Sequence, residues 1–140
     1  WEYYESRTEH GSSLSACSYS LVAAQIGKVD WAYKYFMKTA TIDLTGGGKE
    51  YVGTLYIGGT HPAGNGGAWM SAVFGLCGIH ISENGISVNP HLPAHWTEVK
   101  LSLSFRGQRL RFTLTHASVA IKMTGCAEAA SSHKTCLKTR

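Results

Sequence analysis

The hydrophobic pattern of this chain changes its period near residue 80. Before that point apolar residues recur at helical spacing between glycine-rich stretches, and after it they alternate with polar residues as in β-strands. A chain of 140 residues offers one ordinary domain or two small parts. The pattern therefore predicts an α+β chain with helices over 1–80, a β-sheet over 81–125 and a loose polar tail over 126–140.

Two helices are predicted close to the start of the chain. The first spans 13–27 and the second spans 31–40, and the short connection between them predicts antiparallel packing. Capping residues support both ranges, because Ser and Asp are favoured N-caps and Gly is favoured just after a helix. The residues expected to delimit the helices are Ser12 or Ser13 and Gly27 for the first and Asp30 for the second.

A third helix is predicted over 67–79, and it is apolar on nearly all sides. Such a helix is buried on every face, so the pattern predicts that more protein packs against it than this chain supplies. The glycine-rich stretch from Asp43 to about Gly67 is interpreted as one long ordered loop. It carries several large side chains, and loops of this length in compact domains are usually functional or disordered.

The second part of the chain is typical of antiparallel strands. A turn at Asn84-Gly85 between two short apolar segments predicts a β-hairpin. Three longer segments follow, the first two joined by a turn at Arg106-Gly107-Gln108. Their alternating apolar residues are Val99, Leu101, Leu103, Phe105, Leu110, Phe112, Leu114, Val119, Ile121 and Met123. One apolar and one polar face predict a meander packed on one side.

Charge and cysteine content narrow the function classes. Residues 1–80 carry five Lys/Arg and six Asp/Glu, and residues 81–140 carry eight and three, so the net charge of +4 arises in the second part. These basic residues stand singly among Ser and Thr without interleaved aromatics, which indicates a solvated face and no nucleic-acid partner. The four cysteines form no C-x-x-C pair, so reduced structural thiols are expected rather than a zinc ribbon. No apolar run approaches the ~20 residues of a membrane span.

Two segments have the residue types of an anion site. His10-Gly11-Ser12-Ser13 places two hydroxyls before the first helix, and His61 lies in a glycine-rich stretch before the third. Free backbone N–H groups and the positive end of the helix dipole favour negative ligands at a helix start. Together the segments predict an anion site between two helix N-termini, with phosphate as the obvious ligand.

Simpler interpretations of the same residues stay open. Serines before a helix often only cap it, and a loop histidine often makes only structural hydrogen bonds. The P-loop lysine and the dinucleotide fingerprint are missing, Ser13 lacks the elbow of an acyl-transfer nucleophile, and His10 and His61 lack an obvious third metal ligand. The acidic residues that could face a sugar, or equally stay solvated, are Glu2, Glu5 and Glu9.

A set of short motifs occurs in a fixed order over most of the chain, from Tyr3 to about Leu114. The motifs are Tyr3-Tyr4-Glu5, Thr8-x-His10-Gly11-Ser12-Ser13-Leu14-Ser15, Ala32-Tyr33 with Tyr35-Phe36, Ile42-Asp43-Leu44, His61 with Gly66-Gly67-Ala68-Trp69, Phe74-Gly75, and Asn89-Pro90-x-Leu92-Pro93-x-x-Trp96. Each motif alone is weak. In this order the set resembles glycoside hydrolase family 65, and the combination is specific.

The resemblance implies a fold and an activity. Family members have an (α/α)6-barrel catalytic domain followed by a small antiparallel β-sheet C-terminal domain, so 1–80 would be the last helices of the barrel. Phosphorylase members cleave disaccharides such as maltose, trehalose, kojibiose or nigerose with inorganic phosphate, inverting the anomeric centre to give β-glucose 1-phosphate. The resemblance assigns phosphate binding to Ser12, Ser13 and His61. The residues expected to support the substrate site are Glu5, His10, Gly66 and Gly67.

Two alternatives accompany the phosphorylase interpretation. Hydrolases of the same family use a glutamate base, but a negatively charged nucleophile needs donors, because a carboxylate would repel it. The Ser-Ser pair and the histidine therefore favour phosphorolysis. A non-catalytic carbohydrate-binding module would display exposed aromatics, whereas Phe105 and Phe112 fall on the apolar face.

The resemblance also sets expectations for the rest of the machinery. The family's general acid is a glutamate far upstream, and no motif here matches it, so no catalytic residue is expected in this chain, which alone should be inactive. No cofactor and no metal are expected, and inorganic phosphate is the co-substrate beside a disaccharide. A cytoplasmic location, no membrane partner and a homodimer of the full-length protein are expected. The insert-like stretch 46–59 is a candidate for tuning the choice of disaccharide.

Overall fold

The structure, a computed structural model, describes residues 1–10, 12–44, 50–52, 55–57 and 59–124. Three α-helices and seven strands occur in that part of the chain, and apart from a short hairpin between the second and third helices they follow the predicted order of helices and then strands. They are α1 (Ser15–Gln25), α2 (Val29–Ala40), β1 (Glu50–Val52), β2 (Leu55–Ile57), α3 (Pro62–Met70), β3 (Ile79–Ser82), β4 (Gly85–Val88), β5 (Val99–Phe105), β6 (Gln108–Leu114) and β7 (Val119–Thr124). The α+β prediction is confirmed, and the predicted loose tail over 126–140 lies outside the described residues.

Helix α1 ends as predicted but begins differently. Its N-cap is Leu14 without a side-chain cap, so the predicted capping by Ser12 or Ser13 is wrong. At the other end Gly27 has a φ of 75°. The Gly27 N–H donates to Ala24 O at 3.0 Å, and the Lys28 N–H donates to Ala23 O at 2.8 Å. This pair of bonds closes a helix through a left-handed glycine.

Helix α2 begins at Val29, two residues earlier than predicted. Asp30 therefore lies in the first turn and is not the N-cap, a position where its charge still complements the helix dipole. A buried hydrogen bond joins the two helices, since Ser20 Oγ donates to Ala32 O at 2.8 Å. The first two helices therefore form one packed unit.

Helix α3 begins at Pro62, five residues earlier than predicted, and continues into a π-helical turn over Ser71–Leu76. The prediction of a single long loop from Asp43 to Gly67 is therefore wrong, because this segment contains the start of α3 and the antiparallel hairpin of β1 and β2. Glycine lowers helix propensity, which is why the segment resembled a loop. In the structure Gly64 and Gly67 are buried, Gly64 beside Ile42 and Ser13 O and Gly67 against the Cys17 side chain of α1, and this close packing outweighs the propensity cost.

One face of α3 stays open in this chain. Val73 and Leu76, in the turn that continues the helix, are buried, whereas Trp69 and Met70 are 51% and 42% exposed. The prediction was burial on every face, and in this chain only the side that packs against α1, α2 and β3 is buried. The other side presents large apolar side chains to solvent.

The strands form hairpins and a meander. β3 pairs with β4, Ile81 standing opposite Ile86, and the connecting residues are 83–84, one position before the predicted turn. β5, β6 and β7 form a three-stranded antiparallel sheet in chain order, as predicted. Arg106 and Gly107 have φ values of 49° and 76°, and two positive φ values are what a type I′ hairpin turn requires.

The helical and β parts share their core. One buried cluster runs from Val73 and Cys77 into the strands, and a second joins α1 and α2 through small residues to Leu76. Trp96 packs against both clusters. A β-carbon on Gly78, whose φ is 61°, would overlap the Asn89 carbonyl, so the junction between the two parts admits only glycine. Within the described ranges, none of the helices has the length and apolar character of a membrane span.

Candidate functional site

The two segments predicted to bind an anion meet at the start of α3. A β-carbon on Gly64 would lie 3.4 Å from His61 Cβ and 3.8 Å from Ser13 O. Ser13 is half-buried at this contact, and Ser12 beside it is exposed. The structure therefore brings Ser13 and His61 to the same end of one helix, although 48 positions of sequence separate them.

The serine hydroxyls are not consumed by capping. Ser12 Oγ accepts a hydrogen bond from the Leu14 N–H at 3.2 Å, which leaves the hydroxyl hydrogen of Ser12 to be donated. The Ser13 hydroxyl hydrogen-bonds to none of the residues that the structure describes. Both side chains can therefore donate to a ligand that approaches this end of α1.

His61 is held by an acidic partner from the end of α2. The Asp43 carboxylate accepts from His61 Nδ1 at 2.7 Å and from the backbone N–H of His61 at 2.9 Å. Asn65, one turn along α3, donates its side-chain amide to the same carboxylate at 2.7 Å. The His61 and Asp43 side chains are 19% and 16% exposed, so the pair lies at the surface margin.

The hydrogen bonds to Asp43 decide its charge state. The His61 ring, then the His61 backbone N–H, lower the pKa of the Asp43 carboxyl to about 2. An ionised carboxylate can only accept, so the His61 Nδ1 carries the hydrogen of their contact. Nε2, which hydrogen-bonds to nothing in the described part of the chain, is the ring nitrogen available to a ligand.

The first turn of α3 adds main-chain donors. Pro62 opens the helix and has no N–H, and the His61 N–H is taken by Asp43. The N–H groups of Ala63 and Gly64 follow, and positions this early in a helix have no intrahelical acceptor. Together with the helix dipole they favour a negatively charged ligand beside His61 Nε2.

His10 and Glu5, which were expected to support the substrate site, belong to a separate hydrogen-bonded network. Tyr35 donates its hydroxyl to Glu5 Oε1 at 2.7 Å and lies 3.0 Å from His10 Nε2. Because Tyr35 has one hydrogen and gives it to the carboxylate, His10 Nε2 donates to the Tyr35 oxygen and Nδ1 accepts from Ser15 Oγ at 2.8 Å. Burial of Tyr35, together with the bond to Glu5, raises its pKa. This network anchors the start of α1 and leaves His10 without a free ring nitrogen.

The two glycines expected near the substrate differ in their surroundings. A β-carbon at Gly67 would lie 2.5 Å from Cys17 Sγ, so helix packing alone explains Gly67. Gly66 is exposed, and a β-carbon there would meet nothing within 4 Å. Gly66 is therefore the glycine that packing leaves unexplained.

Two cavities in the described part of the chain are lined by residues other than Ser12, Ser13 and His61. A pocket of about 410 Å³ lies between the start of α2 and the sheet loops, with His91 and His116 among its lining residues. Another of about 290 Å³ lies beside Trp1 and Tyr19. The predicted anion site is a surface arrangement at the helix ends. Within the described ranges, no cluster of three or more His, Cys, Asp or Glu side chains is arranged to hold a metal ion.

The prediction missed Asp43 and Asn65 as site residues. Asn65 is four residues after His61, a spacing that aligns side chains on one face of a helix, but the stretch was interpreted as a loop. Asp43 is separated from His61 by a hairpin, so its proximity depends on how the intervening chain folds. The only available signal was its position in the Ile42-Asp43-Leu44 motif.

Helices followed by a small antiparallel β part fit the end of a helical catalytic domain with a C-terminal β domain. Comparison with family models agrees. Residues 1–70 match the glycosyl hydrolase family 65 central catalytic domain, and residues 79–130 match the glycosyl hydrolase family 65 C-terminal domain. This chain belongs to glycosyl hydrolase family 65.

Several curated relatives of the chain are phosphorylases. It is 46% identical over 119 residues to a nigerose phosphorylase of Lachnoclostridium phytofermentans, covering 85% of this chain and 16% of the relative. It is 38% identical over 128 residues to an α,α-trehalose phosphorylase of Geobacillus stearothermophilus, covering 89% and 15%. A kojibiose phosphorylase of Escherichia coli K12 is 31% identical over 121 residues, covering 86% and 15%. The chain thus spans about one sixth of the length of these relatives.

A solved structure shares the fold. It is described as "Putative kojibiose phosphorylase from human microbiome", and it superposes with a TM-score of 0.72 at 25% sequence identity. The superposition includes 88% of this chain and 17% of the solved structure. The fold likeness therefore extends over most of this chain.

Proposed function

We propose that this chain contributes the phosphate-binding part of an inverting α-glucoside phosphorylase, which cleaves a disaccharide with inorganic phosphate to give β-glucose 1-phosphate. The observation that carries the proposal is the meeting of the two motifs at the start of α3, where a β-carbon on Gly64 would lie 3.8 Å from the Ser13 carbonyl oxygen and 3.4 Å from His61 Cβ. We place the anion beside this contact, between the Ser13 hydroxyl and His61 Nε2.

The donor set suits phosphate. Ser12 and Ser13 offer hydroxyl hydrogens, and the first turn of α3 offers backbone N–H groups. His61 Nε2 donates when the ring is protonated, and a hydrogen bond to an ionised partner is about twice as strong as a neutral one. The nearby carboxylate of Asp43 is turned to other donors and so does not face the anion.

The same donors favour phosphorolysis over hydrolysis. An inverting hydrolase activates water with a carboxylate base on the far side of the sugar. Phosphate already carries negative charge, so it needs donors that hold it in line with the anomeric carbon. That the relatives named above are phosphorylases supports this assignment.

The division of labour in the proposed enzyme follows from the residues present. This chain supplies the phosphate side, and the general acid that protonates the leaving sugar is assigned to the part of the full-length enzyme outside it. Inorganic phosphate is the co-substrate, and the proposal requires no cofactor or metal.

Product analysis of the full-length enzyme tests the proposal. With a panel of α-linked glucose disaccharides, glucose 1-phosphate should form only when phosphate is supplied, and NMR should identify the β anomer first. Release of free glucose at the same rate without phosphate would reject phosphorolysis and point to a hydrolase.

Site variants locate the phosphate contacts. Ser12→Ala and Ser13→Ala should each raise the KM for phosphate about tenfold, which corresponds to the loss of a hydrogen bond to a charged ligand. Ser18→Ala is the matched control, because Ser18 is exposed on α1 and its hydroxyl donates to the helix backbone. A phosphate KM that is unchanged in both Ser12 and Ser13 variants would remove the serines from the site.

A further inference from the structure

We propose that Asp43 is the positioning residue for His61: it orients the imidazole, assigns the hydrogen to Nδ1 and thereby presents Nε2 to the bound phosphate. The inference rests on the proposed function, since it assumes that His61 contacts phosphate. Asp43 itself is not placed in contact with the ligand.

The contact between the two residues is made at two points. One carboxylate oxygen accepts from the His61 backbone N–H at 2.9 Å, and the other accepts from the ring Nδ1 at 2.7 Å. One side chain thus fixes both the main chain and the ring of His61. Fixing both removes the rotational freedom that a ligand would otherwise have to restrict on binding.

Asn65 completes the arrangement from the opposite side. Its side-chain amide donates to the same oxygen of Asp43 that holds the His61 N–H, at 2.7 Å. His61 is the N-cap of α3 and Asn65 lies in its first turn, so among the described residues the donors to this carboxylate come from the start of one helix. The carboxylate is therefore locked against the helix start and cannot turn toward an anion bound beside it.

The chemistry of the pair determines what Nε2 can do. A carboxylate accepts only, so Nδ1 keeps its hydrogen, and a second proton taken up by the ring must sit on Nε2. A ring that holds both hydrogens donates to phosphate through Nε2 and to Asp43 through Nδ1. An amide at position 43 could donate to Nδ1 instead, which reverses the tautomer and removes the charged acceptor.

The experiment compares phosphate kinetics of full-length variants. Asp43→Asn keeps an acceptor for the His61 N–H and should raise the KM for phosphate about tenfold, with the KM for the disaccharide changed less than twofold. His61→Ala should raise the KM for phosphate at least as much. In the His61→Ala background, Asp43→Asn should have no further effect on this KM, because a residue acting through another is coupled to it. Asp30→Asn, an exposed aspartate of α2, is the control.

The outcomes separate the inference from the proposed function. If His61→Ala raises the phosphate KM while Asp43→Asn leaves it unchanged, or if the two effects multiply in the double variant, the positioning role is overturned and the phosphate site stands. An unchanged phosphate KM in His61→Ala rejects the phosphate role of His61 itself. If Asp43→Asn does not fold, Asn65→Ala at an exposed position replaces it. This variant should raise the KM for phosphate about threefold. An unchanged phosphate KM would reject the inference.

Discussion

Gly67 of α3 and Cys17 of α1 lie so close that a β-carbon on Gly67 would stand 2.5 Å from the Cys17 Sγ and 2.7 Å from its Cβ. The two helices therefore approach each other at a point where only a hydrogen atom fits. Ser71, one turn later, reinforces the contact by donating to Gly67 O at 2.9 Å and lying 3.3 Å from Cys17 O. This crossing sets how the start of α3 is placed against the start of α1.

Gly67→Ala should destabilise the protein. The added methyl group overlaps Cys17, and overpacking of this kind lowers the free energy of unfolding by about 1–3 kcal/mol. Gly66→Ala is the matched control, because its β-carbon meets nothing within 4 Å and alanine is the better helix former by about 1 kcal/mol. Thermal unfolding of the full-length protein measures both. Equal melting temperatures for the two variants would contradict the crossing.

Tyr35→Phe should loosen the start of α1. Loss of the hydroxyl leaves Glu5 and His10 without their shared partner, which costs about 1–3 kcal/mol in the free energy of unfolding. Tyr33→Phe on the same helix is the control, since the Tyr33 hydroxyl hydrogen-bonds to none of the residues described. Denaturant unfolding measures the stability of the two variants. A loss of unfolding free energy of the same size in both would show that the hydrogen-bonded network around Tyr35 contributes nothing to stability.

Acid should remove the contribution of Asp43 to stability. Its pKa falls from 3.8 to about 2 on folding, first through the His61 ring and then through the His61 backbone N–H. A lowered pKa stabilises the folded state fully above the unfolded value, and the contribution disappears as the pH falls through the folded value. The melting-temperature gap between wild type and Asp43→Asn should therefore be constant above about pH 5 and close between about pH 4 and pH 2. A gap that persists unchanged at pH 2 would contradict this.

Cys77 should resist alkylation in the folded protein. Burial raises the pKa of its thiol from 9.0 to about 11, so the reactive thiolate is about a hundredfold rarer at neutral pH, and the side chain is 1% exposed. Peptide mapping after iodoacetamide treatment should find Cys77 modified only when denaturant unfolds the protein. Cys17, which is half-buried, is the internal comparison, and equal labelling of the two in the native state would refute the burial of Cys77.

The β-strands could be predicted because their signal is local. Alternation of apolar and polar residues identifies β5, β6 and β7, and two positive-φ residues at Arg106-Gly107 close the hairpin of β5 and β6. The start of α3 could not be predicted in the same way. Gly64 and Gly67 suggest a loop by propensity, and they serve a helix because Ile42 and Ser13 lie close to Gly64 and Cys17 of α1 lies close to Gly67.

The site shows the same division between local and distant information. The residue types of Ser12, Ser13 and His61 suggested an anion site from their positions before helices. The partner of His61 could not be identified, because Asp43 reaches it only through the fold of the residues between them. His10 has the residue type of a ligand-binding group, and only its contacts with Tyr35 and Ser15 show that both ring nitrogens are occupied.

Direct titration of inorganic phosphate into the full-length enzyme tests the central claim, that phosphate binds between the starts of α1 and α3. Calorimetry should give a Kd for the Ser13→Ala/His61→Ala double variant at least tenfold above that of wild type. The Ser18→Ala control should bind as wild type does, and circular dichroism should show the same fold for all three proteins. The same phosphate Kd in the double variant and the wild type would contradict the claim.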